Sequence, residues 1–135
     1  MFARVLKADN GESREAALKA AKEVILSGGL VAVPTESFYG LAASVTDEKA
    51  IHRLMAAKRR PEDNPILILI PSTDLLKDYV AAIAPVAIKL IKRFWPGGLT
   101  MVFEAKTTLP RLLTAGTGKI GVRLSSHPLP TELAR

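Results

Sequence analysis

Ile66-Leu67-Ile68-Leu69-Ile70 is apolar at every position, so both faces of an alternating strand are hydrophobic. A strand of that kind is covered on both sides, which predicts a central strand in a layered α/β arrangement rather than a sandwich with one wet face. Immediately upstream, Ile51, Leu54 and Met55 recur at three- and four-residue steps. They predict a helix, capped by Thr46 or Asp47, that runs to about residue 59 before Pro61 forbids continuation. Residues 30–33 read as a short strand stopped by Pro34, and residues 35–40 as the connection beyond it. Further back, residues 2–7 alternate like a strand and Asn10-Gly11 supplies a turn. Ser13 is placed to cap a helix over 14–27 that ends at Gly28-Gly29.

Downstream of the apolar run, helices are predicted at 73–82 and 85–94, followed by the turn Trp95-Pro96-Gly97-Gly98 and a strand at 99–104. Residues 120–124 read as the last strand, and 129–135 as a helix with little for its apolar face to pack against. At 135 residues and 48% hydrophobic content, the chain suits one domain with a real core and is too short for two. The absence of cysteine excludes disulfides, thiolate zinc sites, iron–sulfur clusters and cysteine nucleophiles. A formal charge of +6 suits phosphate-bearing partners without identifying one. No apolar run reaches the roughly twenty residues of a membrane span, and Met1-Phe2-Ala3-Arg4 opens no secretory signal, so the expectation is a cytoplasmic protein with no membrane partner.

Few constellations carry chemistry. Thr114-Ala115-Gly116-Thr117-Gly118-Lys119 superficially suggests a phosphate loop, but Ile120 stands where Ser or Thr is required and a strand follows instead of a helix, so it reads as a glycine loop. His52 and His127 lie at no metal-ligand spacing, and no metal ligands are assigned. His52 reads as an ordinary helix side chain, whereas His127 sits in a loop after a strand, where sites form. Lys58-Arg59-Arg60 admits two readings. The cations either complement the helix C-terminus, or, with Pro61 and Asn64-Pro65 next to them, bind a polyphosphate through exposed side chains. Pro34-Thr35-Glu36-Ser37-Phe38-Tyr39-Gly40-Leu41 likewise serves equally as a capped turn or as a substrate loop with two hydroxyls, a carboxylate and a phenol.

Taken together, these segments resemble the YrdC-like family of threonylcarbamoyl-AMP synthases. Residues 29–41 look like its opening strand and substrate loop, and Lys58-Arg59-Arg60-Pro61 with Asn64-Pro65 looks like its Lys-x-Arg-Pro element. Trp95-Pro96-Gly97-Gly98-Leu99-Thr100 and Gly121-Val122-Arg123-Leu124 through His127-Pro128 resemble its later signatures. The resemblance implies an α/β fold of the α+β variety, with a mixed twisted sheet and flanking helices. It implies ATP as a substrate, accompanied by Mg2+, with L-threonine and bicarbonate. The product serves threonylcarbamoyladenosine formation in tRNA, reached directly or through a downstream threonylcarbamoyl transferase. By this resemblance Lys58 and Arg60 hold the phosphates and acyl-adenylate, and Thr35, Ser37 and Arg123 position threonine and the carboxylated amine. Tyr39, Asn64 and His127 line the same pocket.

Leu69 and Gly98 depart from the family pattern, which often has histidine and proline there. The family's Ser-x-Asn nucleotide element is not reached by Arg135, so the expectation is a single domain over 1–135, truncated before that element, with uncovered sheet favouring self-association. Two alternatives stand beside the synthase. One is a carbamoyl-adenylate-forming domain of the hydrogenase maturation type. The other is a non-catalytic RNA-binding module, against which the 5% aromatic content argues.

Overall fold

Asn10 and Ser13 start the first helix, α1 (Gly11–Leu26), between them. Asn10 Oδ1 accepts from the Ser13 N–H at 2.9 Å and Ser13 Oγ accepts from the Asn10 N–H at 3.1 Å, a reciprocal capping box. Asn10, predicted as a turn residue, is therefore the N-cap, and Ser13 sits one turn inside. The computed structural model describes residues 2–135. Residues 2–7 form no strand; Phe2 is 99% exposed, because alternation without a partner strand has no ladder to join. At the other end of α1, Gly28 (φ 79°) takes the left-handed position that closes the helix, with Gly28 N–H to Ile25 O at 3.0 Å and Gly29 N–H to Val24 O at 2.8 Å. A Cβ on Gly28 would also lie 2.8 Å from Asp47 Oδ2.

β1 (Val31–Pro34) and β2 (Tyr39–Ala42) form an antiparallel hairpin with Val31 opposite Ala42 and Pro34 opposite Tyr39. The predicted 35–40 connection is shorter than expected. Thr35 N–H bonds Phe38 O at 3.1 Å, which leaves Glu36 and Ser37 as the tip. The strand β2 was hidden in the sequence because Tyr39-Gly40-Leu41-Ala42 lacks the β-branched alternation that marks strands.

Asp47 then caps α2 (Glu48–Ala57) by accepting from the Ala50 N–H at 3.1 Å, and Ile51, Leu54 and Met55 are buried as their spacing predicts. Arg53 Nη1 donates to Gly28 O at 2.5 Å, tying α2 to the end of α1. The helix ends two residues early for a definable reason. Arg59 adopts φ 49°, its N–H bonds Ala56 O at 3.1 Å and the Arg60 N–H bonds Met55 O at 2.8 Å, the same closure made by Gly28 in α1.

The main sheet has the order β3-β5-β4, with β3 (Ile68–Leu69) parallel to β5 (Lys119–Arg123) and β4 (Met101–Glu104) antiparallel to it. The open mixed sheet with helices agrees with the fold expected. Ile66–Ile70 is nevertheless not its central strand. Among the described residues β3 is an edge, Ile68 and Ile70 face the core, and Leu67 remains 44% exposed. Two apolar faces predicted double coverage, but only one is covered here; β5, with Ile120 and Val122 fully buried, holds the centre.

The predicted helix at 73–82 divides into a single tight turn at Thr73–Leu75 and α3 (Leu76–Tyr79), and α4 (Pro85–Phe94) matches the predicted 85–94. α5 (Arg111–Thr114) was not anticipated. Leu113 anchors it in the core beside α2 and β5. α6 (Pro128–Leu133) does find a partner, contrary to expectation. It packs on α1 and β1, buries Pro130, and Glu132 receives both Nε and Nη2 of Arg14.

Candidate active site

The C-terminal end of β5 delivers Arg123 to the tip of the β1–β2 hairpin, where the two sheets meet. Arg123 Nε donates to Thr100 Oγ1 at 2.9 Å, and Nη1 donates to Glu36 Oε1 at 3.2 Å and, more weakly, to Ser37 Oγ at 3.5 Å. The second Glu36 oxygen, Oε2, accepts from the Ser125 hydroxyl and from the Ser126 N–H at 3.2 Å. Thr35 Oγ1 lies 3.2 Å from Ser37 Oγ and donates to Phe38 O at 2.7 Å, so Thr35 both turns the hairpin and orders its tip. The Trp95-Pro96-Gly97-Gly98 turn closes one side, with the Gly97 N–H on Leu124 O at 2.8 Å and Gly98 backed against the Glu36 stem. Its Trp95–Pro96 peptide is cis.

Electrostatics agree with the geometry. Burial by itself would raise the Glu36 carboxyl, but the Ser125 hydrogen bond, a bond from its own backbone and the Arg123 charge outweigh that effect and hold its pKa below the usual carboxylate value. Glu36 is therefore an anion that accepts hydrogen bonds. The Arg123 charge is balanced locally while part of its guanidinium stays open.

Of the residues singled out from the sequence, Thr35, Ser37 and Arg123 are brought together here. His127 stands at the margin. Its N–H bonds Ser125 Oγ at 3.1 Å and its Nδ1 accepts from the Leu129 N–H at 3.2 Å as the cap of α6, leaving the Nε2 edge of the ring for any further contact. Tyr39 is 76% exposed and makes no hydrogen bond among the described residues. Lys58, Arg60 and Asn64 form a separate group. Lys58 is exposed at the end of α2, whereas Arg60, expected to be exposed, is partly buried. Its Nε bonds Asn64 O at 3.2 Å and its Nη2 bonds Pro65 O, which closes the Pro61–Pro65 loop on itself. No hydrogen bond or ion pair among the described residues joins this group to Arg123.

The Glu36 carboxylate belongs to the substrate-loop motif, but nothing in the sequence marks Glu36, Thr100 or Ser125 as partners of Arg123 or of one another. Each lies inside a motif quoted above, and their convergence depends on two sheets meeting, which no local spacing encodes. A groove of about 330 Å³ opens beside Ser125 and Ser126, between Pro71, Pro96 and Thr131. A larger one of about 720 Å³ follows α1 and α6; of the two, only the smaller is lined by residues that bond Glu36, namely Ser125 and Ser126.

The chain is 41% identical over 116 residues to the threonylcarbamoyl-AMP synthase of Pyrococcus abyssi, covering 86% of this chain and 34% of that protein. It is 32% identical over 128 residues to the threonylcarbamoyl-AMP synthase of Escherichia coli K12, covering 93% of this chain and 67% of that protein. Among solved structures, Pyrococcus abyssi Sua5 complexed with L-threonine superposes with a TM-score of 0.85 at 41% identity, over 88% of this chain and 35% of that one. The chain thus spans about a third of the length of its archaeal relative. The model of the Sua5/YciO/YrdC family, described as telomere recombination, matches residues 23–135, and the chain belongs to that family.

Proposed function

We propose that this chain carries the site for joining L-threonine, bicarbonate and ATP into L-threonylcarbamoyl-AMP with release of pyrophosphate, for modification of tRNA. The observation that carries the reading is the Arg123 guanidinium, fixed by Thr100 and Glu36, set against the Ser37 hydroxyl that in turn meets Thr35. A planar cation next to hydroxyls suits an amino-acid carboxylate and the carbamate formed on its amine. The names of the relatives, and the threonine held by the archaeal structure, support the same substrate.

The chemistry asks little covalent work of the protein. The threonine amine takes up bicarbonate carbon with loss of water, and a carbamate oxygen then attacks the α-phosphorus as the bond to the pyrophosphate oxygen breaks. Positioning and charge stabilisation dominate such a transfer. Arg123 and the hairpin hydroxyls hold the carbamate, and Lys58 and Arg60 neutralise the phosphates. The Arg60 group precedes β3 and Arg123 lies opposite Leu69 on its neighbour β5, so the two groups suit different parts of one extended nucleotide substrate. Among the described residues no three His, Cys, Asp or Glu side chains cluster. The described residues therefore offer no carboxylate cage for Mg2+, which would arrive on the phosphates of the nucleotide as part of the substrate. The product then passes to tRNA or to a transferase, in a cytoplasmic setting.

Pyrophosphate release measured with and without L-threonine and bicarbonate tests the proposal. Threonine-stimulated release that Arg123→Ala reduces by a hundredfold or more is the expected result. Release indifferent to threonine, together with salt-sensitive RNA binding, would instead identify an RNA-binding module.

A further inference from the structure

We propose that Glu36 is a positioning residue for threonine: its carboxylate fixes the Arg123 guanidinium by one nitrogen and so keeps the opposite edge open for the substrate carboxylate. The inference rests on the function proposed above and adds to it a role for the carboxylate of the substrate loop, which the sequence motifs left unassigned.

The hairpin tip inverts the ordinary hydropathy rule. Phe38 and Tyr39 point outward, yet the Glu36 side chain between the sheets is only 17% exposed. Enclosing a carboxylate is costly unless every oxygen is paired, and both are. Oε1 takes Arg123 Nη1, while Oε2 takes the Ser125 hydroxyl and the Ser126 N–H.

The division between the two oxygens is the informative feature. A carboxylate that only stabilised the fold would gain most by gripping the guanidinium with both oxygens across a fork of two N–H groups. Glu36 grips one nitrogen and commits its other oxygen to the loop after β5. Arg123 Nε is committed to Thr100, which leaves Nη2 with no hydrogen bond among the described residues. That nitrogen is not sealed off, because no unpaired polar side-chain atom is buried. Glu36 thus holds the plane of the cation from one side, Thr100 holds it from another, and the Nη2 group keeps its N–H donors uncommitted and solvent-accessible. A preset plane spares the substrate the entropy of ordering a long, flexible side chain.

A positioning role and a purely electrostatic role predict opposite signs. If Glu36 acted only through charge, its removal would leave Arg123 more positive and draw the threonine carboxylate in more tightly. If it acts by orientation, its removal weakens binding. Calorimetric titration of L-threonine into the wild-type chain, Glu36→Gln and Ser125→Ala, with the Arg123 Nε–H resonance followed by 15N NMR in the absence of ligand, distinguishes them. The expected result is a tenfold or greater rise in Kd for Glu36→Gln, a two- to fivefold rise for Ser125→Ala, and a broadened, faster-exchanging Nε–H signal in both.

Unchanged or tighter threonine binding in folded Glu36→Gln overturns the proposal, as does an unaltered Nε–H signal. Should Glu36→Gln fail to fold, Ser125→Ala decides alone, and wild-type Kd in that variant overturns the proposal. A wild-type chain that binds no threonine sinks the substrate reading instead, and the NMR comparison still judges whether Glu36 orders Arg123.

Discussion

At the scale of single residues, Glu36 links the site to acidity. Its pKa is lowered in the folded protein, so its contribution to stability is present above the ordinary glutamate value and is lost as pH falls through the lowered value. Melting temperature measured against pH is therefore expected to separate wild type from Glu36→Gln near neutrality, and the gap is expected to narrow as pH drops below about 4. A constant gap across the range would show that the carboxylate's charge is not what the fold uses. The two cations beyond α2 also part company at this scale. The Lys58 side chain makes no hydrogen bond or ion pair among the described residues, whereas Arg60 holds the carbonyls of Asn64 and Pro65. Lys58→Ala is expected to weaken nucleotide binding by about 1.5–3 kcal/mol with an unchanged melting temperature, while Arg60→Ala lowers both. Isothermal titration with ATP paired with thermal melts reads the two effects separately.

At the scale of elements, two helices of this chain end by the same hydrogen-bond pattern with different residues at its left-handed position. Gly28 closes α1 at φ 79°, where glycine costs nothing, but Arg59 closes α2 at φ 49°, where a Cβ crowds the backbone. Arg59→Gly is expected to stabilise the chain by about 1 kcal/mol, part of the relief being offset by the greater freedom of glycine in the unfolded chain. Urea denaturation checks this, and a loss of stability would mean that the Arg59 side chain supplies a contact outweighing the strain. The elements also show where local reading succeeds. Helices α2 and α4 were legible because apolar periodicity and a capping Asp47 or leading Pro85 act within a few residues. The hairpin strand β2 and the short α5 were not, since their residues carry weak local preference and are held by what they pair with or pack on.

At the scale of the whole molecule, the site exists because two separate sheets are held in register. The hairpin contributes Thr35, Glu36 and Ser37, and the three-stranded sheet contributes Thr100 and Arg123. Strand β5 is the lever between core and site, for Ile120 and Val122 are wholly buried while Arg123 projects at its end. Ile120→Ala is expected to cost about 2–5 kcal/mol through the cavity it leaves, and to weaken threonine binding even under conditions where the variant stays folded. Denaturation together with threonine titration checks both parts. Full threonine affinity in the folded variant would show the hairpin tip to be ordered independently of the core.

Alone, the sequence determined the helices with strong apolar period, the mixed α/β class, the absence of cysteine chemistry, and the motifs containing Thr35, Ser37, Lys58, Arg60 and Arg123. These are local properties, fixed by side-chain spacing, caps and turn residues a few positions apart. Which apolar strand is central was decided only by the tertiary structure, because Ile66–Ile70 and Ile120–Leu124 are both hydrophobic and only pairing distinguishes edge from centre. The same holds for the partnership of Glu36 with Arg123 and Ser125, residues 87 and 89 positions from it along the chain. A carboxylate in a turn and an arginine ending a strand are each ordinary. Burial in one junction forces them to satisfy one another, and that requirement arises only once the two sheets meet.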